Sequence, residues 1–214
     1  SNISQMGINF TLTNQEAGHT GKYSLMVKDT EVGAMGITEL SPGYFSLGKP
    51  WSYIDGLNTN TATAGTSGGI KFTHRPDTMS VWIKRTGPNV TAEDFYLLYY
   101  AWSGTAKADS YKNKSNGCSS APQTNEESDI RQALDANECG TTQLANQIAE
   151  GMWREKKEYG EWTNIRVPIY YFNDDVPEMM NMIFSASNYP NFRAKDGLYK
   201  DNALYVDDIE LIYS

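Results

Sequence analysis

Two adjacent carboxylates near the end of the sequence, Asp207 and Asp208, are the first residues whose types could do chemistry. They lie in LYVDDIELIY (204–213), which alternates as a strand does, and strand neighbours face opposite sides. The pair therefore cannot present both carboxylates to one substrate. Asp207 shares parity with Tyr205, Ile209 and Leu211, the expected inward set. A carboxylate placed there needs compensation, from backbone N–H groups or from an arginine such as Arg75 or Arg166.

Aromatic residues are the second candidate chemistry. The chain carries 14 Tyr, 7 Phe and 5 Trp, which make up 12% of it, and flat amphipathic rings suit sugar faces as well as strands. Trp82 lies opposite the apolar Met79/Val81/Ile83 face of its strand. Tyr96, Tyr100 and Trp102 share one face of the next, and Tyr170 with Arg166 lies opposite Ile165, Val167 and Ile169. Were these strands neighbours, the rings would form a platform flanked by Lys84 and Asn164, on which sugar C–H faces stack while polar groups hold the hydroxyls. For any single ring, burial in the core is the commoner fate. Trp51 and Tyr53, in a Gly-, Asn- and Thr-rich stretch, form a second candidate site at a loop.

The case for catalysis is thin. His19 and His74 are the two histidines, and neither sits in an H-E-x-x-H frame. The Gly65-Thr66-Ser67-Gly68-Gly69 stretch has neither the following helix that a G-x-S-x-G nucleophile elbow needs nor the lysine of a phosphate loop. A glycosidase needs two carboxylates about 5–10 Å apart across a cleft; with 26 acidic residues in the chain, their presence alone decides nothing. Glu93 with Asp94, and Asp174 with Asp175, read as solvated turns. The leading expectation is a protein that binds rather than cleaves.

The elements that must position these residues are strands. FTHRPDTMSVWIKR (72–85) enters through Pro76 and alternates, while DFYLLYYAW (94–102) is apolar on both faces and reads as a central strand. EWTNIRVPIYYF (161–172), VPEMMNMIFSASN (176–188) and LYVDDIELIY follow, and GKYSLMVKD alternates near the start. Residues 55–69, all small or polar but Leu57 and Ile70's neighbours, read as a loop. Composition changes at 103–150, rich in Ser, Asn, Lys, Glu and Gln. There, Ile130 with Leu134, and Leu144 with Ile148 and Met152, have the i,i+4 spacing of short helices capped by Ser128 and by Thr141 or Thr142. The expectation is one all-β domain over 1–214, an antiparallel jelly-roll β-sandwich with a polar, partly helical insertion around 103–150.

The net charge of −8 and the lack of a Lys/Arg cluster argue against a nucleic-acid partner, and no apolar run is long enough to span a bilayer. Cys118 and Cys139 lack the spacing of a zinc site. In an exported protein their bridge would contribute about 3 kcal/mol; in the cytosol they would be two thiols. The bridge is the favoured reading.

W-x-x-I-x-V-P-I-x-Y (Trp162–Tyr171), P-x-x-x-x-M-I-F-S-A-S (Pro177–Ser187), LYVDDIELIY and the Phe72–Pro76 entry into Val81–Lys84 together resemble the "putative carbohydrate metabolism domain" family, PCMD, with Ile83 where that pattern has Tyr. The resemblance spans about residues 20–214 outside 103–150. It implies a jelly roll similar to carbohydrate-binding modules, from polysaccharide utilisation in Gram-negative gut bacteria. It further implies a protein exported to the cell surface or periplasm, often as a lipoprotein, with a glycan and surface proteins as partners. In related modules the residue matching Asp207 supports a structural calcium together with backbone carbonyls of the first strand, so a calcium at Asp207 is a second expectation. The other class of function is a structural spacer or protein-interaction module with every ring buried; a glycoside hydrolase or lyase comes third.

Overall fold

The computed structural model describes residues 18–34, 37–55, 58–67, 69–104, 106–107, 142–143, 146–187 and 199–214. In chain order the strands are β1 (Leu25–Lys28), β2 (Thr30–Ala34), β3 (Ile37–Ser41), β4 (Tyr44–Ser46), β5 (Lys49–Asp55), β6 (Asn58–Ser67), β7 (Ile70–Lys71) and β8 (Thr78–Thr86). They continue as β9 (Phe95–Ser103), β10 (Ala106–Lys107), β11 (Thr142–Gln143), β12 (Asn146–Glu155), β13 (Tyr159–Pro168), β14 (Tyr170–Tyr171), β15 (Met179–Ser185) and β16 (Ala203–Ile212). Among the described residues there is no helix.

A four-stranded sheet in the order β1-β16-β8-β13 faces a larger one in the order β14-β12-β9-β15-β4, with β7 also on β15. Every pairing between described strands is antiparallel. Met79, Val81 and Ile83 of β8, Ile165 and Val167 of β13, and Leu204 and Val206 of β16 meet Phe95, Leu97, Tyr99, Met180, Met182 and Phe184 of the larger sheet in one core. This is a sandwich, and the inward sets expected for β8 and β13 are the ones found. β9 is central and buried from Phe95 to Trp102 on both faces, as its doubly apolar sequence requires.

Three expectations differ. The Ile148/Met152 segment is not a helix but β12, paired with β9 from Asn146↔Ser103 to Glu155↔Phe95. Its glycine explains part of this: a Cβ at Gly151 would lie 2.9 Å from the Pro168 carbonyl, so the strand must pass close to the chain it crosses. Residues 58–67 are not a loop but strand β6, paired with β5, which places Trp51 opposite Gly65 and Tyr53 opposite Thr63; threonine-rich runs favour strands. In β16 the alternation is reset by a bulge between Asp207 and Glu210, with Asp208 at φ +44°. Leu204 and Val206 therefore point inward before it and Leu211 after it, leaving Asp207 on the outer face beside Trp82. The excursion after β9 leaves and returns through the β10–β11 ladder. Cys118, Cys139, Ile130 and Leu134 lie outside the described residues.

Candidate functional site

The two ends of the sandwich are built from different chemistry. At the end where β1 stops and β9, β16 and β4 begin, Asp29, Arg85 and Glu93 are buried together, at 0%, 0% and 3% exposure. Arg85 donates to the carbonyls of Val90, Lys157, Glu93 and Ala186. Asp29 Oδ1 accepts from the Gly43 N–H (2.7 Å) and the Ser187 hydroxyl (2.9 Å). Glu93 accepts from the Asn202 amide and, at 3.3 Å, the Tyr199 N–H. Burial, the largest cause for both, pushes Asp29 up to about 6 and Glu93 up to about 8; the Glu93 side chain pulls Asp29 partly back down, while the Asp29 charge raises Glu93 further. Asp29 Oδ2 meets no N–H or O–H group. Glu93 is thus a buried member of this cluster and not the solvated turn residue expected. The pair is also not a glycosidase pair. Its carboxyls are buried at 0% and 3% exposure, so substrate has no access to either.

The opposite end exposes apolar rings. β13 leaves the four-stranded sheet after Pro168, and β14 joins the larger sheet at its edge, with Tyr170 opposite Glu150 and Tyr171 opposite Ala149 of β12. Alternation turns Tyr171 into the core, where its hydroxyl donates to the Pro76 carbonyl (2.8 Å), and leaves Tyr170 outward at 67% exposure. Phe172, two residues on, is 61% exposed. Residues two apart in extended chain stand roughly 7 Å from each other on the same side. Val176 and, on β12, Met152 are exposed nearby in the chain path.

This edge is held rigidly. The Phe172 N–H donates to the Ile148 carbonyl (2.8 Å). The Arg75 guanidinium stacks 4.0 Å above the Tyr171 ring and donates to the carbonyls of Asn173 and Asp175. Asn146 Nδ2 donates to Asp175 Oδ2 (2.8 Å), and Asn173 Nδ2 to the Gln147 carbonyl (3.3 Å). Beside the rings, Gln147 Nε2 donates to Glu150 Oε2 (3.2 Å). Aromatic faces with amide and carboxylate groups at their margin are the elements of a saccharide site.

The remaining sequence candidates are not gathered here. Tyr96, Tyr100 and Trp102 do share a face, with Leu98 and Ile183, but are 3%, 0% and 2% exposed; they pack as core and offer no free ring. Trp82 is half-buried on the outer face of the four-stranded sheet, and the His19 ring lies flat on it at 3.7 Å and 12°. His19 Nδ1 donates to Asp208 Oδ2 (2.7 Å), as does the Thr20 hydroxyl to Oδ1 (2.7 Å), and these two groups hold Asp208 below the usual carboxylate range. Arg166 is exposed on that same sheet, opposite Ser80, away from Tyr170. Trp51 and Tyr53 belong to the β5–β6 pair. Phe172 and Met152 were missed; the i,i+2 step from Tyr170 is the signal for the first.

Among the described residues no arginine reaches Asp207: its Oδ2 accepts from the Thr20 N–H (3.3 Å) and its Oδ1 from the Asp208 N–H (2.9 Å). Next to it, a Cβ on Gly18 would lie 2.3 Å from Asp207 Oδ2, 2.6 Å from the Tyr23 carbonyl and 2.7 Å from the Thr20 carbonyl. Three oxygens thus crowd one side of Gly18, an approach that a Cβ would block; oxygens of this kind are the ligand type that calcium takes. Among the described residues no group of three or more His, Cys, Asp or Glu could hold a metal.

With this geometry in hand, the comparisons are narrow. No family model and no curated protein matches the chain. Two crystal structures superpose on it. A protein of Bacteroides thetaiotaomicron VPI-5482 named "putative glycoside hydrolase" does so with TM-score 0.57 at 16% identity, over 99% of this chain and 60% of its own. A protein of Bacteroides vulgatus ATCC 8482 of the same name does so with TM-score 0.54 at 14% identity, over 94% and 76%. The fold is shared. At this identity the likeness extends to the all-β architecture alone, and this chain spans about 60% of the first protein's length.

Proposed function

We propose that this domain is a non-catalytic carbohydrate-binding or glycan-scaffold module of jelly-roll type, which holds a poly- or oligosaccharide at its aromatic end. The observation that carries the reading is the pair of exposed rings, Tyr170 and Phe172, on an edge pinned by Arg75 and Asn146. An edge whose backbone is already fixed loses less entropy when a sugar stacks on it. The names of the two structural neighbours, and the likeness of the β13, β15 and β16 motifs to PCMD, support a carbohydrate setting. They also support placement at the surface or in the periplasm of a Gram-negative bacterium, where the Cys118–Cys139 bridge would form.

The test is a glycan array followed by calorimetry on the best ligand with the intact chain, Tyr170→Ala and Phe172→Ala. Each substitution is expected to weaken binding about tenfold or more while leaving the melting temperature within a few degrees. Absence of any hit, or equal affinity in both variants, overturns the reading in favour of a spacer or protein-interaction module.

The names of the neighbours also favour a second reading, a glycoside hydrolase. Release of reducing sugar from an array hit would establish it. We further propose a structural calcium held by Asp207 with the Thr20 and Tyr23 carbonyls. Chelation with EDTA is then expected to lower the melting temperature and added calcium to restore it; an unmoved transition counts against the ion.

A further inference from the structure

A second concavity lies at the same end, and its chemistry differs from that of the Tyr170 edge. It measures about 380 Å³ and is lined by Lys71, Phe72, Thr73, His74 and Tyr213. That volume lies near the low end of small-ligand sites, about 300–1,000 Å³, and suits one or two sugar rings. Its walls are fixed by backbone bonds. Ile70 and Lys71 pair with Met180 and Met179 of β15, and the Phe72 N–H donates to the Glu178 carbonyl (2.9 Å). Across from them, the Asp77 N–H donates to the Ile212 carbonyl (2.8 Å). Ser214 donates to Asp77 Oδ2 through its N–H (2.6 Å) and its hydroxyl (2.7 Å), which sets the path of Tyr213.

Three rings make a corner in this cleft. Phe72 and His74 stand 5.6 Å apart at 45°, and His74 and Tyr213 stand 6.3 Å apart at 69°. Tyr213 remains 51% exposed, so its face is open to a ligand. Among the described residues Lys71 is the one charged member of the lining, with His74, Thr73 and Tyr213 as polar neighbours; Asp77, beside Tyr213, is already taken up by the N–H and hydroxyl of Ser214. On a chain of net charge −8, a lysine at such a cleft is the group to which a negatively charged ligand would be drawn.

We propose that this cleft is a subsite for an acidic sugar, a uronate or sulfated residue, with Tyr213 stacking on the ring and Lys71 pairing with its anionic group. The inference rests on the carbohydrate reading above for the sugar, but on separate residues for the charge. A carboxylate or sulfate paired to the ammonium gains a charge-assisted bond that a neutral sugar lacks.

The test is NMR titration of the full chain with trigalacturonate, an alginate trisaccharide and a chondroitin sulfate tetrasaccharide, each against a neutral counterpart: methyl-esterified trigalacturonate, mannotriose and desulfated, carboxyl-reduced chondroitin. At least one acidic member is expected to shift the amides of Lys71, His74 and Tyr213 and to bind about tenfold more tightly than its neutral form. Lys71→Met is expected to erase that preference, Tyr213→Ala to weaken both forms, and Tyr170→Ala to leave the preference intact. The proposal is overturned by the absence of shifts at these amides across the panel, or by Lys71→Met keeping the preference. If Tyr170→Ala abolishes binding of neutral glycans while the panel never touches Lys71, the subsite falls and the Tyr170 reading stands.

Discussion

One end of this sandwich buries charge, and the other leaves rings in water. At the first, Asp29, Arg85 and Glu93 take their partners from chain segments around residues 43, 90, 157, 187 and 202, so the bonds serve only to hold loops together. At the second, the polar groups of Arg75, Asn146 and Asn173 fix the backbone of the 172–178 connection, while Tyr170, Phe172, Val176, Tyr213 and Ile70 stay uncovered. The contrast teaches that this fold separates buried polar cohesion from exposed apolar surface along the strand direction. Hydrogen bonds are spent inside at one end and on display geometry at the other.

The largest expected effect breaks the cohesive end. Arg85→Met leaves two acids buried without their cation, and loss of one member of such a cluster costs about 3–5 kcal/mol; urea unfolding would read it. Next comes a contrast within one sheet face. Tyr100→Ala is expected to destabilise by about 3 kcal/mol, since it empties a fully buried ring position. Tyr170→Ala on the edge is expected to change stability by no more than about 0.5 kcal/mol. Equal costs for the two would erase the distinction between packed and presented rings.

A smaller effect follows from pH. Glu93 is raised from its ordinary 4.5 to about 8, first by burial and then by the Asp29 charge. The folded state therefore holds its proton more tightly than the unfolded chain. That contribution is complete below pH 4.5 and is lost as pH rises towards 8, by at most about 1.4 kcal/mol per unit. Thermal melts from pH 4.5 to 8 should show the decline, and Glu93→Gln should flatten it. A profile identical in the variant removes Glu93 from the linkage. The smallest effect is optical. His19→Ala uncovers one face of Trp82, which should raise iodide quenching of tryptophan fluorescence while the fold persists.

Much of the sandwich is legible in the sequence because alternation is local. Met79/Val81/Ile83 and Ile165/Val167 need only their own neighbours to declare an inward face, and β9 declares its central place by having no polar face at all. The misreadings are places where distant chain decides. The i,i+4 spacing of Leu144, Ile148 and Met152 is real, yet Ala149, Gly151 and Trp153 also alternate with Glu150, Met152 and Arg154, and pairing with β9 chooses the strand. No residue type announces the bulge after Asp207, which brings Leu211 inward although it has the same parity as the outward Asp207. For the candidate site, the sequence places Tyr96, Tyr100 and Trp102 correctly on one face but carries no word on what lies over it. Exposure is a property of position in the sheet: the same residue type is core on β9 and surface on β14.

The Arg85 cluster also has a kinetic side. Its guanidinium joins Val90, five residues away, to Ala186, 101 residues away. Closing so long a loop is slow and entropically costly, so the joint sets only after both sheets have met. Interactions made that late guard the exit more than the entrance: they lengthen the lifetime of the finished molecule while barely changing how fast it assembles.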